Sequence, residues 1–205
     1  MIHKINFKAM GCQMLAAVEH PSSRSAQLLA QVPEWFEAWE TSLSRFRPES
    51  ELNHLNQQAG TRVQVSDTIW QVLQAAIETE KQSDGLVTPA ILEALVAAGY
   101  EQSFERLEQD RFAQPGGSPH LYPLQAIVLQ PEDRSIYFPA GMRLDFGGVA
   151  KGWAAHQAMK RLKRYAPALV DSGGDIAISG LQSDGQPWLV GIEDPLNPGK
   201  NLETL

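Results

Sequence analysis

Between residues 66 and 82, apolar side chains return every three to four positions, and Ile69, Val72, Leu73, Ala76 and Ile77 fall on one face. That period predicts an amphipathic helix capped by Ser66 or Asp67 and ended by Ser83-Asp84-Gly85. The same period runs through residues 25–46 at Leu28, Leu29, Val32, Phe36, Trp39, Leu43 and Phe46, again predicting a helix that faces a core. Pro33 interrupts it, so this stretch is either one kinked helix or two. The run Trp35, Phe36, Trp39 reads as core packing rather than a cofactor box. Residues 2–20 carry short strand patterns on either side of an A-M-G-C-Q turn, and Leu15–Val18 is the clearest. S-R-F-R-P-E-S-E-L-N-H-L-N is a polar loop entering a short helix whose first turn holds Glu49 and Glu51; Arg45 and Arg47 there either meet phosphate or are solvated. L-V-T-P-A-I-L-E-A-L-V-A-A-G-Y reads as an extended turn, then a helix with Pro89 near its first position and Gly99 just past its end.

Further on, Ala126–Leu129 and Ser135–Phe138 predict a hairpin around P-E-D-R. Ile176–Ser179 and Trp188–Ile192 predict antiparallel strands across Q-S-D-G-Q. Residues 101–120 are polar and end in Q-P-G-G-S-P-H, as a linker or surface loop does, and the terminal N-P-G-K-N-L-E-T-L is expected to fray. These elements predict an α+β fold in which antiparallel strands pack against helices.

The richest stretch runs from Met142 to Gly180. An apolar run reaches Asp145 and the pair Gly147-Gly148, and a helical pattern follows at Val149, Trp153, His156, Met159 and Leu162. Lys160, Arg161, Lys163 and Arg164 crowd the end of that helix, where its dipole favours cations, and Pro167 stops it. Ala168–Val170 then meets a second pair, Gly173-Gly174, with Asp175 beside it. The unit reads strand, turn, helix, strand, turn, strand. Chemically, the first turn sets backbone N–H groups at a helix N-terminus next to Lys151 and Asp145. Donors and a cation suit a phosphate, and a carboxylate suits a metal or a ribose hydroxyl. The plainer alternative, that both glycine pairs are strand-end turns, stays open on this pattern alone. A Walker A loop is excluded because no Ser or Thr follows Lys151, and G-x-G-x-x-G is absent. Asp145-Phe146-Gly147 has no H-R-D loop to make it a kinase triplet.

Composition changes the picture little. The 205 residues suffice for a sizeable core, and a net charge of −7 argues against nucleic acid or an anionic membrane as the main partner. A single cysteine, Cys12, forbids an intrachain disulfide. The residues before it lack an apolar core, so Cys12 is expected to be a small buried residue of the first strands rather than a lipid anchor. No transmembrane span is expected, and the chain as given reads as cytoplasmic, or periplasmic if a leader precedes it.

L-D-F-G-G-V-A-K-G-W-A followed by A-L-V-D-S-G-G-D-I resembles the core signature of the FAD:protein FMN transferases, the ApbE family. A-M-G, S-R-F-R-P-E-S-E-L-N-H-L-N, S-D-G-L-V-T-P-A-I-L and W-L-V-G-I-E-D-P extend the likeness over nearly the whole chain. The resemblance implies an ApbE-like, T-fold-related single domain over 1–205, with 101–120 as an internal loop. It implies transfer of FMN from FAD to a threonine of a target protein, with Mg²⁺ as cofactor and AMP released. The partner is then a flavin-acceptor protein, and a homo-oligomer is a further possibility. By the same resemblance Met10, Phe46, Leu86, Val87, Thr88, Asp145 and Lys151 contact FAD, Asp145 is the catalytic acid, and the Gly148 carbonyl binds the metal.

This chain departs from the family pattern in places. Val87-Thr88 stands where the family has an aromatic and an acid, Ala90 replaces a threonine, and Cys12 replaces another. Family members continue past I-E-D-P for roughly 100 residues, a domain-scale length, which carry H-I-I-D-P-x-T-G and the A-D-x-x-x-T metal ligands. The chain is therefore expected to leave a sheet edge or apolar face uncovered. A non-catalytic FAD-binding scaffold completed by another polypeptide is the alternative reading.

Overall fold

The computed structural model describes residues 1–20, 24–102, 120 and 122–205. All but the ends of the expected 101–120 loop lies outside the described residues. The main sheet has the order β1-β2-β6-β7, antiparallel throughout, from Ile2–Ala9 (β1), Cys12–Glu19 (β2), Ala168–Ser172 (β6) and Asp175–Ile178 (β7). Ala9 pairs with Cys12 across a two-residue turn, and Met10 and Gly11 both have positive φ, 48° and 72°. That is the turn whose twist matches a strand hairpin, and it places a non-glycine residue in the left-handed region. At the other end of the sheet Gly173 and Gly174, at φ 66° and 102°, join β6 to β7.

The helices are Arg24–Leu29 (α1), Val32–Leu43 (α2), Glu51–Gln57 (α3), Asp67–Gln82 (α4), Leu92–Ala97 (α5) and Ala150–Leu162 (α6). Pro33 lies in the first turn of α2, where its missing N–H costs nothing, so the kinked alternative resolves into two helices. Phe36 packs edge-on against Phe7 at 5.2 Å and Trp39 at 5.3 Å, so the aromatic run is core. Ser50 and Ser66 cap α3 and α4 through their hydroxyls. Glu51 accepts from Ser42 on α2 and from the backbone and hydroxyl of Ser66, binding the three helix ends together; Glu49 precedes the helix. Gly99 has φ 86°, and Tyr100 N–H returns to the Leu95 carbonyl, closing α5 as expected.

Several expectations need correction. Helix α5 starts at Leu92 rather than near Pro89, whose carbonyl instead accepts from the Asp145 N–H at 2.8 Å. Phe46 lies beyond the end of α2 and is 40% exposed. The buried face of α6 is Ala150, Ala154, Ala155, Ala158, Met159 and Leu162, while His156 is exposed and Trp153 only half-buried. Small alanines let the helix lie close on β6 and β7, which a Trp/His stripe would prevent. The expected hairpin near residue 130 exists in shorter form: Val128–Gln130 (β4) and Ser135–Tyr137 (β5) pair, with Arg62–Gln64 (β3) on the other side of β5.

The stretch before Asp145 is extended but is not a strand. The Asn56 side chain takes both backbone groups of Leu144, accepting from its N–H at 2.7 Å and donating to its carbonyl at 2.9 Å. Trp188–Ile192 does not pair with β7. Gly191–Glu193 (β8) pairs with Asn201–Thr204 (β9), so the segment expected to fray is a strand. Its cause is turn chemistry: Asp194 receives the Leu196 N–H and the Asn197 amide through its side chain and closes the loop before Gly199. The expected apolar exposure is present, with Ile176, Ile178, Leu181, Leu189, Ile192 and Leu202 all exposed. No helix among the described residues is long and apolar enough to cross a membrane.

Replacing Asn56 by Ala leaves both Leu144 backbone groups buried without partners, and urea unfolding should show a loss of about 2–4 kcal/mol. A change under about 0.5 kcal/mol would mean that the Asn56 amide does not hold this segment.

Candidate functional site

Three turns meet at the N-terminal end of α6. Asp145 Oδ1 accepts from the Gly147 N–H at 2.8 Å, and a Cβ on Gly147 would sit 2.8 Å from that same oxygen, so any larger residue there would displace the Asp145 carboxylate. Phe146 carbonyl accepts from Val149 and Ala150 and starts the helix. Gly148 lies against Val87, whose Cγ1 is 3.6 Å from where its Cβ would stand, so the 86–88 loop and the glycine pair are neighbours. From the second turn, Met10 N–H donates to Glu40 Oε2 at 2.6 Å. Cys12 is half-buried rather than buried, and its sulfur is 4.0 Å from Lys151 Nζ. In the third turn, a Cβ on Gly173 would lie 2.8 Å from that of Cys12, and Gly152 faces the Asp175 carboxylate. Hairpin β1–β2, helix α6 and turn β6–β7 are thereby locked at one point.

The second half of the site is built on Arg45. Its Nε donates to Asp145 Oδ2 at 2.9 Å, and the two side chains are only 6% and 12% exposed. The guanidinium lies 4.2 Å from the Phe46 ring centre and 4.5 Å from that of Tyr100, so two aromatic faces hold the cation beside the carboxylate. Arg47, two residues on, pairs instead with Glu37 at 2.6 Å and Glu40 at 3.6 Å. The hydrogen bond from Arg47 holds the Glu37 carboxyl below its ordinary range, and the same bond raises Arg47. His156, midway along α6, is lowered by partial burial and by Lys160 and Lys163.

Of the expected site residues, Asp145, Gly148, Lys151, Val87 and Phe46 gather around the α6 turn, and Met10 sits in the adjoining hairpin. Thr88 Oγ1 accepts from the Ala90 N–H at 3.3 Å, and Leu86 points outward at 88% exposure. Tyr100 and Glu40 were not singled out by the sequence pattern, and Arg45 was read as a phosphate contact or a solvated loop residue rather than as the partner of Asp145. Arg45 had only its place beside Phe46 to mark it, and Tyr100 only its place after the capping Gly99.

The donor set fits a nucleotide better than a cation. An exposed aromatic ring, a glycine turn opening a thirteen-residue helix, and Lys151 suit a planar base joined to phosphate. For a divalent ion, the Asp145 carboxylate is already neutralised by Arg45, and no group of three His, Cys, Asp or Glu with metal spacing occurs among the described residues. One Gly148 carbonyl falls short of the six oxygens that Mg²⁺ takes.

The fold is an antiparallel sheet packed against helices, with a glycine turn opening α6. A family model described as ApbE family matches residues 10–205, and the chain belongs to that family. The FAD:protein FMN transferase of Treponema pallidum is 28% identical over 92% of this chain and 56% of its own length. The transferase of the same name from Haemophilus influenzae is 23% identical over 77% of this chain and 48% of its own. The chain thus spans about half the length of the curated relatives it matches. The ApbE protein of Thermotoga maritima superposes with a TM-score of 0.83 at 19% identity, covering all of this chain and 67% of that one. The flavin transferase ApbE from Vibrio cholerae gives 0.77 at 19% identity, covering all of this chain and 66% of that one. These likenesses establish the fold.

Gly173→Ala is expected to destabilise the protein by about 1–3 kcal/mol from its left-handed backbone alone, before the contact with Cys12 is counted. Cys12 should then react faster with iodoacetamide as the junction loosens. An unchanged labelling rate and an unchanged urea midpoint would show that the three turns are not locked together.

Proposed function

We propose that this chain forms the FAD-binding part of a flavin transferase that moves FMN from FAD onto a threonine of a target protein. The observation that carries this reading is the Asp145–Gly147–Gly148 turn at the start of α6, inside an ApbE fold and beside Phe46. In this reading the 205 residues act as one domain, with 101–120 as its internal loop. Met10, Phe46, Leu86, Val87 and Thr88 border the nucleotide, Lys151 faces its phosphates, and Asp145 orients the substrate by its fixed carboxylate.

The reaction is an attack on a phosphoryl centre: the threonine hydroxyl gives up its proton to solvent, its oxygen bonds to the FMN phosphorus, the pyrophosphate bridge breaks, and AMP leaves with the bridging oxygen. Such chemistry depends on charge placed before the reaction begins. Lys151 and the α6 N-terminus place positive potential at the pyrophosphate, while Asp145, held by Arg45 and Gly147, cannot rotate away. Magnesium, when bound, adds neutralising charge at the phosphates. Of the described residues Gly148 would offer it one carbonyl, short of a complete magnesium site.

Titrating the protein into FAD should give a saturable change in flavin fluorescence. Asp145→Ala combined with Lys151→Ala should weaken it at least ~10-fold, since two charged contacts are lost. No response from the native protein, or an equal response from the double variant, would remove this reading. In a protein of the relatives' full length, Asp145→Asn should slow FMN transfer to a threonine-bearing acceptor ~100–1000-fold, measured by the mass of the acceptor.

A further inference from the structure

Arg45 is nearly sealed from solvent, yet its Nη2 is buried with no hydrogen-bond partner. In a guanidinium the Nε–H and one Nη2–H point to the same side, the fork that a carboxylate fills with both oxygens. Nε already donates to Asp145 Oδ2 at 2.9 Å, so Nη2 faces the same side, towards the turn that opens α6. Asp145 Oδ1, which would complete the fork, instead accepts from the Gly147 N–H. A charged donor is left buried and aimed at the turn without an acceptor, a costly state that a bound molecule relieves.

We propose that Arg45 is a ligand-binding residue: Nη2 donates to an acceptor atom on the edge of a neutral heterocycle, while Asp145 accepts from the donor beside that atom. This rests on the FAD reading above. Charge balance favours a ring over a phosphate here. Asp145 already neutralises Arg45, and a phosphate oxygen drawn to Nη2 would lie against that carboxylate. A neutral edge meets no such repulsion, and both heterocycles of FAD, adenine and the flavin, carry a donor next to an acceptor. Phe46 and Tyr100 stand edge to face, 5.8 Å apart at 62°, and the guanidinium sits in the corner they form. Phe46 is the solvent-exposed ring of the two.

Calorimetry with FAD, adenosine, riboflavin and inorganic pyrophosphate tests this on the native protein and Arg45→Lys. Lysine keeps a cation for Asp145 but has no second in-plane donor. Arg45→Lys is expected to bind FAD about 10–100-fold more weakly. The same loss should appear with adenosine or riboflavin, whichever ring docks there, and not with pyrophosphate. On the native protein, 1-deazaadenosine, which lacks the N1 acceptor, or 3-methylriboflavin, whose N3–H donor is methylated, should bind more weakly than its parent, an arm that needs no folded variant. Arg45→Lys binding FAD like the native protein, a loss confined to pyrophosphate, or analogues binding like both parents would overturn the assignment. If the native protein binds FAD but the variant is unchanged, only Arg45 falls. If the native protein binds neither FAD nor its fragments, the FAD reading falls with it.

Discussion

Asp145 sits where it does because the backbone before it is denied a strand partner. Asn56, from α3, replaces the missing neighbour by taking both the N–H and the carbonyl of Leu144, and the Pro89 carbonyl takes the next N–H. One side-chain amide therefore does what a strand would do, in the space of a single residue. A paired strand would continue past Leu144 in regular alternation. The amide clamp lets the chain turn at once, so Asp145 can close back on Gly147 and α6 can begin at Ala150. The helix face that follows is alanine-rich, and this brings the whole turn down onto the β6–β7 hairpin.

The consequences pass outward from that clamp. With Oδ1 committed to the turn, Asp145 offers only Oδ2 to Arg45, so the ion pair is one-pronged. A buried pair of this kind gains little net stability, because desolvation offsets most of the attraction. Its weight lies in orientation: the cation is held against two aromatic rings that meet edge to face, and the acid is held beside the first turn of a helix. Lys151 projects from that same turn to Cys12 on the β1–β2 hairpin, so the charge-bearing residues of three separate elements share one small region.

Much of this was legible in the residues. The period and serine cap of residues 66–82 give α4 to within a residue, and the two glycine pairs mark both turns of the site. Asp145, Gly148 and Lys151 are adjacent in the chain, so local turn chemistry sufficed to group them. What was hidden depended on contacts between distant segments. Nothing in the pattern around Asn56 says that its amide will serve Leu144, eighty-eight residues away. Arg45 looks like any loop arginine until Tyr100 and Phe46 close over it. The β8–β9 pair was missed because its strands show no apolar alternation; a polar turn holds them together. On α6, counting large residues misled, since the alanines are the packed face.

A crystal structure of the protein grown with FAD would show whether FAD binds at the Asp145 turn at the head of α6, as proposed. The expected result is one ring of the nucleotide against Phe46 and the Arg45–Asp145 pair, with its phosphates towards Lys151 and the first turn of α6. FAD bound elsewhere, for instance on the apolar outer face of the sheet lined by Leu15, Leu169 and Trp188, with the Asp145 turn unliganded, would contradict it.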